Sequence, residues 1–281
     1  MVKAHQRARP PHGTAIAPLR RMHADDYALW MFDFDNTLAP LEPAVDWAKS
    51  RRELQAWLGA QGVAEALFEE FPRGALVLYE ALRARLCAGG DAARAVLARE
   101  EIAAVLGNGH NGGAQRSGGR EAAAALRSLL GGASAIIERH ELARVRAVAP
   151  APGAIELLRA LRAAGGLIAI VTSNSSRTVA AWLKARHAEK LIDVIVGRDS
   201  GLALKPSPAM VHRVLEACAV APANAAFAGD SDTDFQAAAA AAVHFYGVNA
   251  KAAGRQRLIS LGASRVFPSP SALSTYLDVF D

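Results

Sequence analysis

Apolar runs along this chain end abruptly in clusters of short polar residues, and the pattern repeats four times. Ala28 to Phe34 (Ala-Leu-Trp-Met-Phe-Asp-Phe) is too short and too apolar for a surface helix and runs into Asp35, Asn36 and Thr37, which are turn and cap formers. Leu167 to Val171 runs into Thr172-Ser173-Asn174-Ser175, Leu191 to Val196 is followed by Lys205-Pro206, and Ala225 to Ala228 runs into Gly229-Asp230-Ser231-Asp232-Thr233-Asp234. Each run predicts a buried strand that delivers polar groups at its carboxyl end. Between them, Gly153 to Ala164, Ser175 to His187, Ser207 to Cys218 and Thr233 to Ala242 carry apolar residues at three-to-four spacing, which predicts helices. Strands alternating with helices predict an α/β fold with a parallel sheet, in which ligands gather beyond the carboxyl ends of the strands.

The stretch between the first two strands has a different texture. Residues 44 to 60, 63 to 70, 74 to 88, 91 to 106, 121 to 130 and 134 to 147 are rich in Ala, Leu, Arg and Glu and predict helices without a strand. We therefore expect three regions. Residues 28–43 and 148–281 form the α/β core, residues 44–147 form an inserted helical domain, and residues 1–27 form a basic extension expected to be disordered. Gly107 to Gly119 is a low-complexity segment expected to be a mobile loop. Phe71-Pro72-Arg73-Gly74 is the one helix connection that stands out as a candidate substrate loop, with Arg73 as its contact; the alternative is an ordinary turn with an exposed arginine.

The polar clusters set the candidate chemistry. Asp33 and Asp35 place two carboxylates side by side at a strand end, an arrangement that needs a cation or a shared proton to offset their repulsion. Asp230, Asp232 and Asp234 alternate like the start of an EF-hand loop, but Phe235 and Ala241 stand where that loop needs Gly and Glu. Thr172, Ser173 and Ser175 also suit a helix cap, which is compatible with phosphate binding at the same helix start.

Taken in order, these clusters resemble the four motifs of the haloacid dehalogenase superfamily, in its phosphatase branch of the phosphoglycolate phosphatase kind. Asp33, Asp35 and Thr37 match its Asp-x-Asp-x-Thr motif, Thr172 its second, Lys205 followed by Pro206 its third, and Gly229, Asp230 and Asp234 its fourth. The resemblance covers residues 28 to 38 and about 150 to 250, and it implies a Rossmann-like core with an inserted α-helical cap of the C1 type. It implies Asp33 as nucleophile, Asp35 as general acid and base, and Mg²⁺ held by Asp33, the Asp35 carbonyl and Asp230, with Asp234 as a further ligand or a support. Lys205 and Thr172 are implied to position the phosphoryl group, with Ser173 and Asn174 beside them, and Thr37 to orient Asp35 in the substrate site. Asn36 departs from the Gly common there but tolerates the same left-handed backbone. Asp35 itself argues for phosphoryl transfer and against cleavage of carbon–halogen bonds. The implied activity is hydrolysis of a small phosphomonoester such as phosphoglycolate or a sugar phosphate. A phosphomutase with the same motifs, and a ligand-binding protein that keeps the site, stand as alternatives.

Composition narrows the partners. The 281 residues carry a net charge of +5, but Lys3, Arg7, Arg9, Arg20 and Arg21 with no acid before residue 25 account for all of it. The remainder is balanced, so nucleic acid is not an expected partner. The basic tail lacks the apolar centre of a signal peptide, and no stretch reaches the roughly 18 apolar residues of a membrane helix. The cytoplasm is the expected compartment. Cys87 and Cys218 are too few for a disulfide framework and are expected in the core.

Overall fold

The computed structural model describes residues 26–97 and 116–277. The first strand, β1 (Leu29–Phe32), is buried along its whole length, as a strand covered on both faces must be. Five helices follow among the described residues: α1 (Trp47–Ala60), α2 (Glu65–Glu70), α3 (Ala75–Ala88), α4 (Gly90–Val96) and α5 (Arg116–Val145). The chain then alternates through α6 (Ala154–Ala163), β2 (Leu167–Val171), α7 (Ser176–Lys184), β3 (Val194–Val196), α8 (Ala209–Cys218) and β4 (Ala225–Gly229). It closes with α9 (Asp232–Ala240), β5 (His244–Val248), α10 (Ala252–Ser260), β6 (Val266–Phe267) and α11 (Pro270–Tyr276).

All six strands pair in parallel in the order β3-β2-β1-β4-β5-β6. β1 is central, with Phe32 level with Ile170 of β2 on one side and Ala228 of β4 on the other. Leu29 and Met31 face one layer together with Val171, Phe227 and the α8 residues Val211 and Val214. Trp30 and Phe32 face the other, packed with Ile168, Ile170, Trp182 of α7 and Leu158 of α6. Burial of these side chains, at about 25 cal/mol per Å² of apolar surface, holds the three layers together. The strands β5 and β6 were not anticipated, because polar His244 and Gly247 interrupt one and the other has two residues.

The helices between β1 and β2 pack on one another through Leu54 and Leu58 of α1, Leu78 and Leu82 of α3, and Ala133 and Ile137 of α5. Two helices expected over 121–130 and 134–147 are one continuous helix, α5, because Gly131-Gly132 is not a break. A Cβ on Gly132 would meet Trp57 Cζ2 at 2.4 Å, so this glycine lets α1 approach α5. Since α5 starts at Arg116, residues 116–119 of the expected loop are helical, while residues 107–115 lie outside the described residues, as do 98–106 and the tail 1–25. Cys87 is exposed on the last turn of α3 and not in the core; Cys218 is half-buried. Among the described residues no helix is long and apolar enough to cross a membrane.

Candidate active site

Parallel pairing brings the ends of β1, β2 and β4 to one edge of the sheet, and the acidic residues follow from it. Asp33 continues β1, its N–H donating to Ala228 O at 2.8 Å, and is 5% exposed. Lys205 reaches in from the chain after β3. Its Nζ donates to Asp33 Oδ1 at 2.5 Å and to Val171 O at 3.1 Å, and lies 2.5 Å from Asp234 Oδ1. One ammonium thus joins the ends of β1 and β2 to the first turn of α9. Asp234 stands in the first turn of α9, where its Oδ2 accepts from the Ser231 N–H and hydroxyl in a capping box. Its side chain lies against Gly229, where a Cβ would be 2.6 Å from Asp234 Cβ. The Asp230 carbonyl accepts from Asn249 Nδ2 at 2.9 Å.

Asp33, Asp230 and Asp234 each offer an oxygen within 4.8 Å of the others. Three carboxylates against one ammonium leave the cluster short of positive charge. Burial pushes the Asp33 carboxyl up to about 7, with Lys205 opposing the rise and Asp234 adding to it. Burial, then the Asp33 and Asp234 charges, push Asp230 up to about 8. Burial works against the Lys205 ammonium, but Asp234 and Asp33 outweigh it and hold its pKa above the usual lysine value. The donor set is all oxygen and over-rich in negative charge, which fits a hard divalent cation. Asp33 and Asp230 offer the carboxylate oxygens suited to hold it. Asp234 is engaged on both oxygens, by Ser231 and by Lys205, and so serves as the partner of Lys205.

Asp35 is half-buried two residues beyond Asp33. Its Oδ1 accepts from the N–H groups of Leu41 (2.9 Å) and Glu42 (2.8 Å). Burial raises its pKa to about 6, against those two hydrogen bonds, which lower it. Asn36 takes φ 58°, the left-handed conformation its residue type tolerates. The Thr37 hydroxyl is buried and has no hydrogen-bond partner among the described residues, and it is the backbone N–H groups of Leu41 and Glu42 that hold the Asp35 carboxylate.

The loop after β2 is also differently wired. Thr172 is fully buried, its hydroxyl donating to Asn174 Oδ1 at 3.0 Å and accepting from Asn174 N at 3.1 Å. Asn174 Nδ2 donates to Glu141 Oε1, so Asn174 faces the interior and is withdrawn from the expected substrate site. The N–H groups of Ser175, Ser176 and Thr178 donate to Glu141, Asp199 and the Ser175 hydroxyl. The start of α7 is therefore already satisfied, and Ser173 is the half-exposed residue of the loop. Arg73 is exposed and makes no hydrogen bond or ion pair with the described residues. Arg51, unremarked in the sequence, holds that connection instead, donating to the carbonyls of Phe68, Phe71 and Gly74. Glu141, Arg198 and Asn249 also escaped sequence reasoning; Glu141 sits in an Ala- and Arg-rich helix where a charge reads as solvated.

Residues 93–248, more than half of the chain, match the model of the family described as haloacid dehalogenase-like hydrolase. The chain is 30% identical over 222 residues to a phosphoglycolate phosphatase of Pseudomonas putida, covering 78% of this chain and 68% of the relative. It is 33% identical over 126 residues to a phosphoglycolate phosphatase of Rhodospirillum rubrum, covering 45% of this chain and 52% of the relative. A crystal structure described as a haloacid dehalogenase-like hydrolase from Bacteroides fragilis matches with a TM-score of 0.53 at 18% identity, over 86% of this chain and 97% of that one. A hydrolase from Pseudomonas syringae matches with a TM-score of 0.50 at 20% identity, over 90% and 99%. At these identities the structural likeness speaks for the fold, and the sequence matches speak for descent: the chain belongs to the haloacid dehalogenase-like hydrolase family.

Proposed function

We propose that this protein is a Mg²⁺-dependent phosphatase that hydrolyses a small phosphomonoester through an aspartyl phosphate on Asp33. The observation that carries the reading is the pair Asp33 and Asp35, one bonded to Lys205 at the end of the central strand and the other held by two backbone N–H groups with its pKa near neutrality. An Asp33 oxygen attacks phosphorus as the bond from phosphorus to the leaving oxygen breaks. Asp35 gives its proton to that leaving oxygen, and an alcohol departs. Asp35, now a carboxylate, takes a proton from water as the water oxygen attacks the same phosphorus. The bond from phosphorus to Asp33 breaks and inorganic phosphate leaves. A pKa of about 6 suits a group that must give and take a proton near pH 7.

Lys205 holds the Asp33 oxygen and offers positive charge to the phosphoryl group, and the backbone of the half-exposed Ser173 stands on the neighbouring strand end to receive its oxygens, with the buried Thr172 hydroxyl fixing the loop through Asn174. A divalent cation, when bound, supplies the positive charge that lets Asp33, Asp230 and a phosphate dianion share one site. Helices α1–α5 act as the cap that excludes water and reads the leaving group. The substrate class is phosphoglycolate or a sugar phosphate; the relatives named above, both phosphoglycolate phosphatases, support the first. Phosphate release across a panel of phosphorylated metabolites, with and without Mg²⁺, tests the reading; release from a phosphomonoester that needs the cation supports it, and release from none sinks it.

A further inference from the structure

Glu141 and Arg198 form an ion pair with both side chains fully buried, Nη1 to Oε1 at 2.9 Å. Burying two charges is costly, and an apolar pair of similar volume often gives equal stability. What an apolar pair lacks is direction, and here every direction is used. Glu141 Oε1 accepts from Asn174 Nδ2 at 3.0 Å; its Oε2 accepts from Ser175 N at 3.3 Å and from the Thr178 hydroxyl at 2.8 Å. Arg198 Nη1 donates to Ser173 O at 2.7 Å, Nε to the Ser134 hydroxyl at 3.0 Å, and Nη2 to Ser134 O at 3.4 Å. The Arg198 backbone N–H donates to Asn174 O at 2.8 Å, and its guanidinium lies 5.9 Å from the centre of the Tyr79 ring of α3.

Three separate pieces of chain meet at this pair. Ser134 and Glu141 belong to α5, the last helix before the chain returns to the sheet. Ser173 to Thr178 form the loop and first turn after β2. Arg198 opens the short turn after β3. Asn174 completes the relay, since the same side chain that donates to Glu141 accepts from Thr172. The position of α5 is thus transmitted through two hydrogen bonds to the Thr172 hydroxyl, and through Arg198 to the Ser173 carbonyl.

We propose that Glu141 and Arg198 are positioning residues that lock the loop carrying Thr172 and Ser173 to helix α5, so that the phosphoryl contacts are set by where that helix lies. The effect on turnover rests on the phosphatase reading; the effect on the loop does not. The experiment uses the full chain with Glu141→Gln, the double variant Glu141→Gln/Arg198→Met, and Glu138→Gln, which removes a neighbouring α5 carboxylate whose partner on the same turn, the Arg177 side chain, is 74% exposed and so adds little hold. Steady-state kinetics and amide hydrogen exchange are measured on each. Both Glu141 variants are expected to lose about tenfold or more in kcat, with KM within about threefold of wild type, because misplaced contacts cost most in the transition state. Amide exchange across 173–178 is expected to quicken by about tenfold or more while β1 and β4 keep their protection. Glu138→Gln is expected to match wild type in both.

The double variant separates positioning from packing. It leaves no buried charge unpaired, so it folds even if the single variant does not. Wild-type thermal stability with a lowered kcat and a loosened loop supports the inference. A folded double variant with wild-type kcat, or with wild-type exchange over 173–178, overturns it. If the wild-type protein releases phosphate from no substrate, the phosphatase reading fails, and the exchange measurement still decides whether the pair holds the loop.

Discussion

Changing Asp33 to Asn keeps the side chain's shape and removes the charge that attacks phosphorus. The expected loss in kcat is about a thousandfold or more. The same change is expected to leave the metal-free protein at least as stable at pH 8, because burial and the Asp234 charge already disfavour a charged Asp33 there. A thermal melt run beside the kinetics checks both halves; a marked drop in Tm would mean that Asp33 is structural. The gathering of Asp33, Asp230 and Asp234 was legible because each stands in a polar cluster directly after an apolar run that reads as a buried strand, whereas Lys205 was reached through the resemblance. The wiring of Asn174 was not legible, because the direction a short polar side chain takes is decided by partners far along the chain. For Asn174 that partner is Glu141, 33 residues away.

At the scale of elements, α5 offers two adjacent glycines with opposite demands. Gly131 has open space where a Cβ would go, so Gly131→Ala gains helix propensity and is expected to stabilise by about 0.5 to 1 kcal/mol. Gly132 faces the Trp57 ring, so Gly132→Ala must displace it and is expected to destabilise by about 1 to 3 kcal/mol. Urea unfolding of the two variants measures the contrast; equal shifts of either sign would show that α1 and α5 do not meet as described. The Gly-Gly pair is why the sequence reads as two helices, since propensity registers the entropic cost of glycine and is blind to a ring from another helix. The core helices α6 to α9 were legible to within a few residues because their apolar stripes face one sheet. The strands β5 and β6 lacked any such run, because His244 and Gly247 interrupt the first and the second has two residues.

For the whole molecule, the central quantity is the charge imbalance at the strand ends. The carboxyl pKa values of Asp33, Asp35 and Asp230 are raised in the folded state to about 7, 6 and 8 from an ordinary 3.8. A carboxyl raised in this way contributes stability that is fully present below its unfolded pKa and is lost as pH climbs through its folded pKa. These groups therefore make the metal-free protein less stable as pH rises from about 4 to about 8. Mg²⁺ competes with the same protons, so its stabilisation is expected to grow over that window. Thermal unfolding at pH 5 and pH 8 tests this: the Mg²⁺-induced rise in Tm should be larger at pH 8, and equal rises at both would contradict it. The net charge of +5 has no part in this, because it resides in residues before 25; the sequence signal for a cation was the adjacent carboxylates of Asp33 and Asp35. The most direct measurement of the account is phosphate release from a panel of small phosphomonoesters by the wild-type protein and Asp33→Asn, each with Mg²⁺ or EDTA. The account predicts release by wild type with Mg²⁺ only; release that survives EDTA or the loss of the Asp33 carboxylate would contradict it.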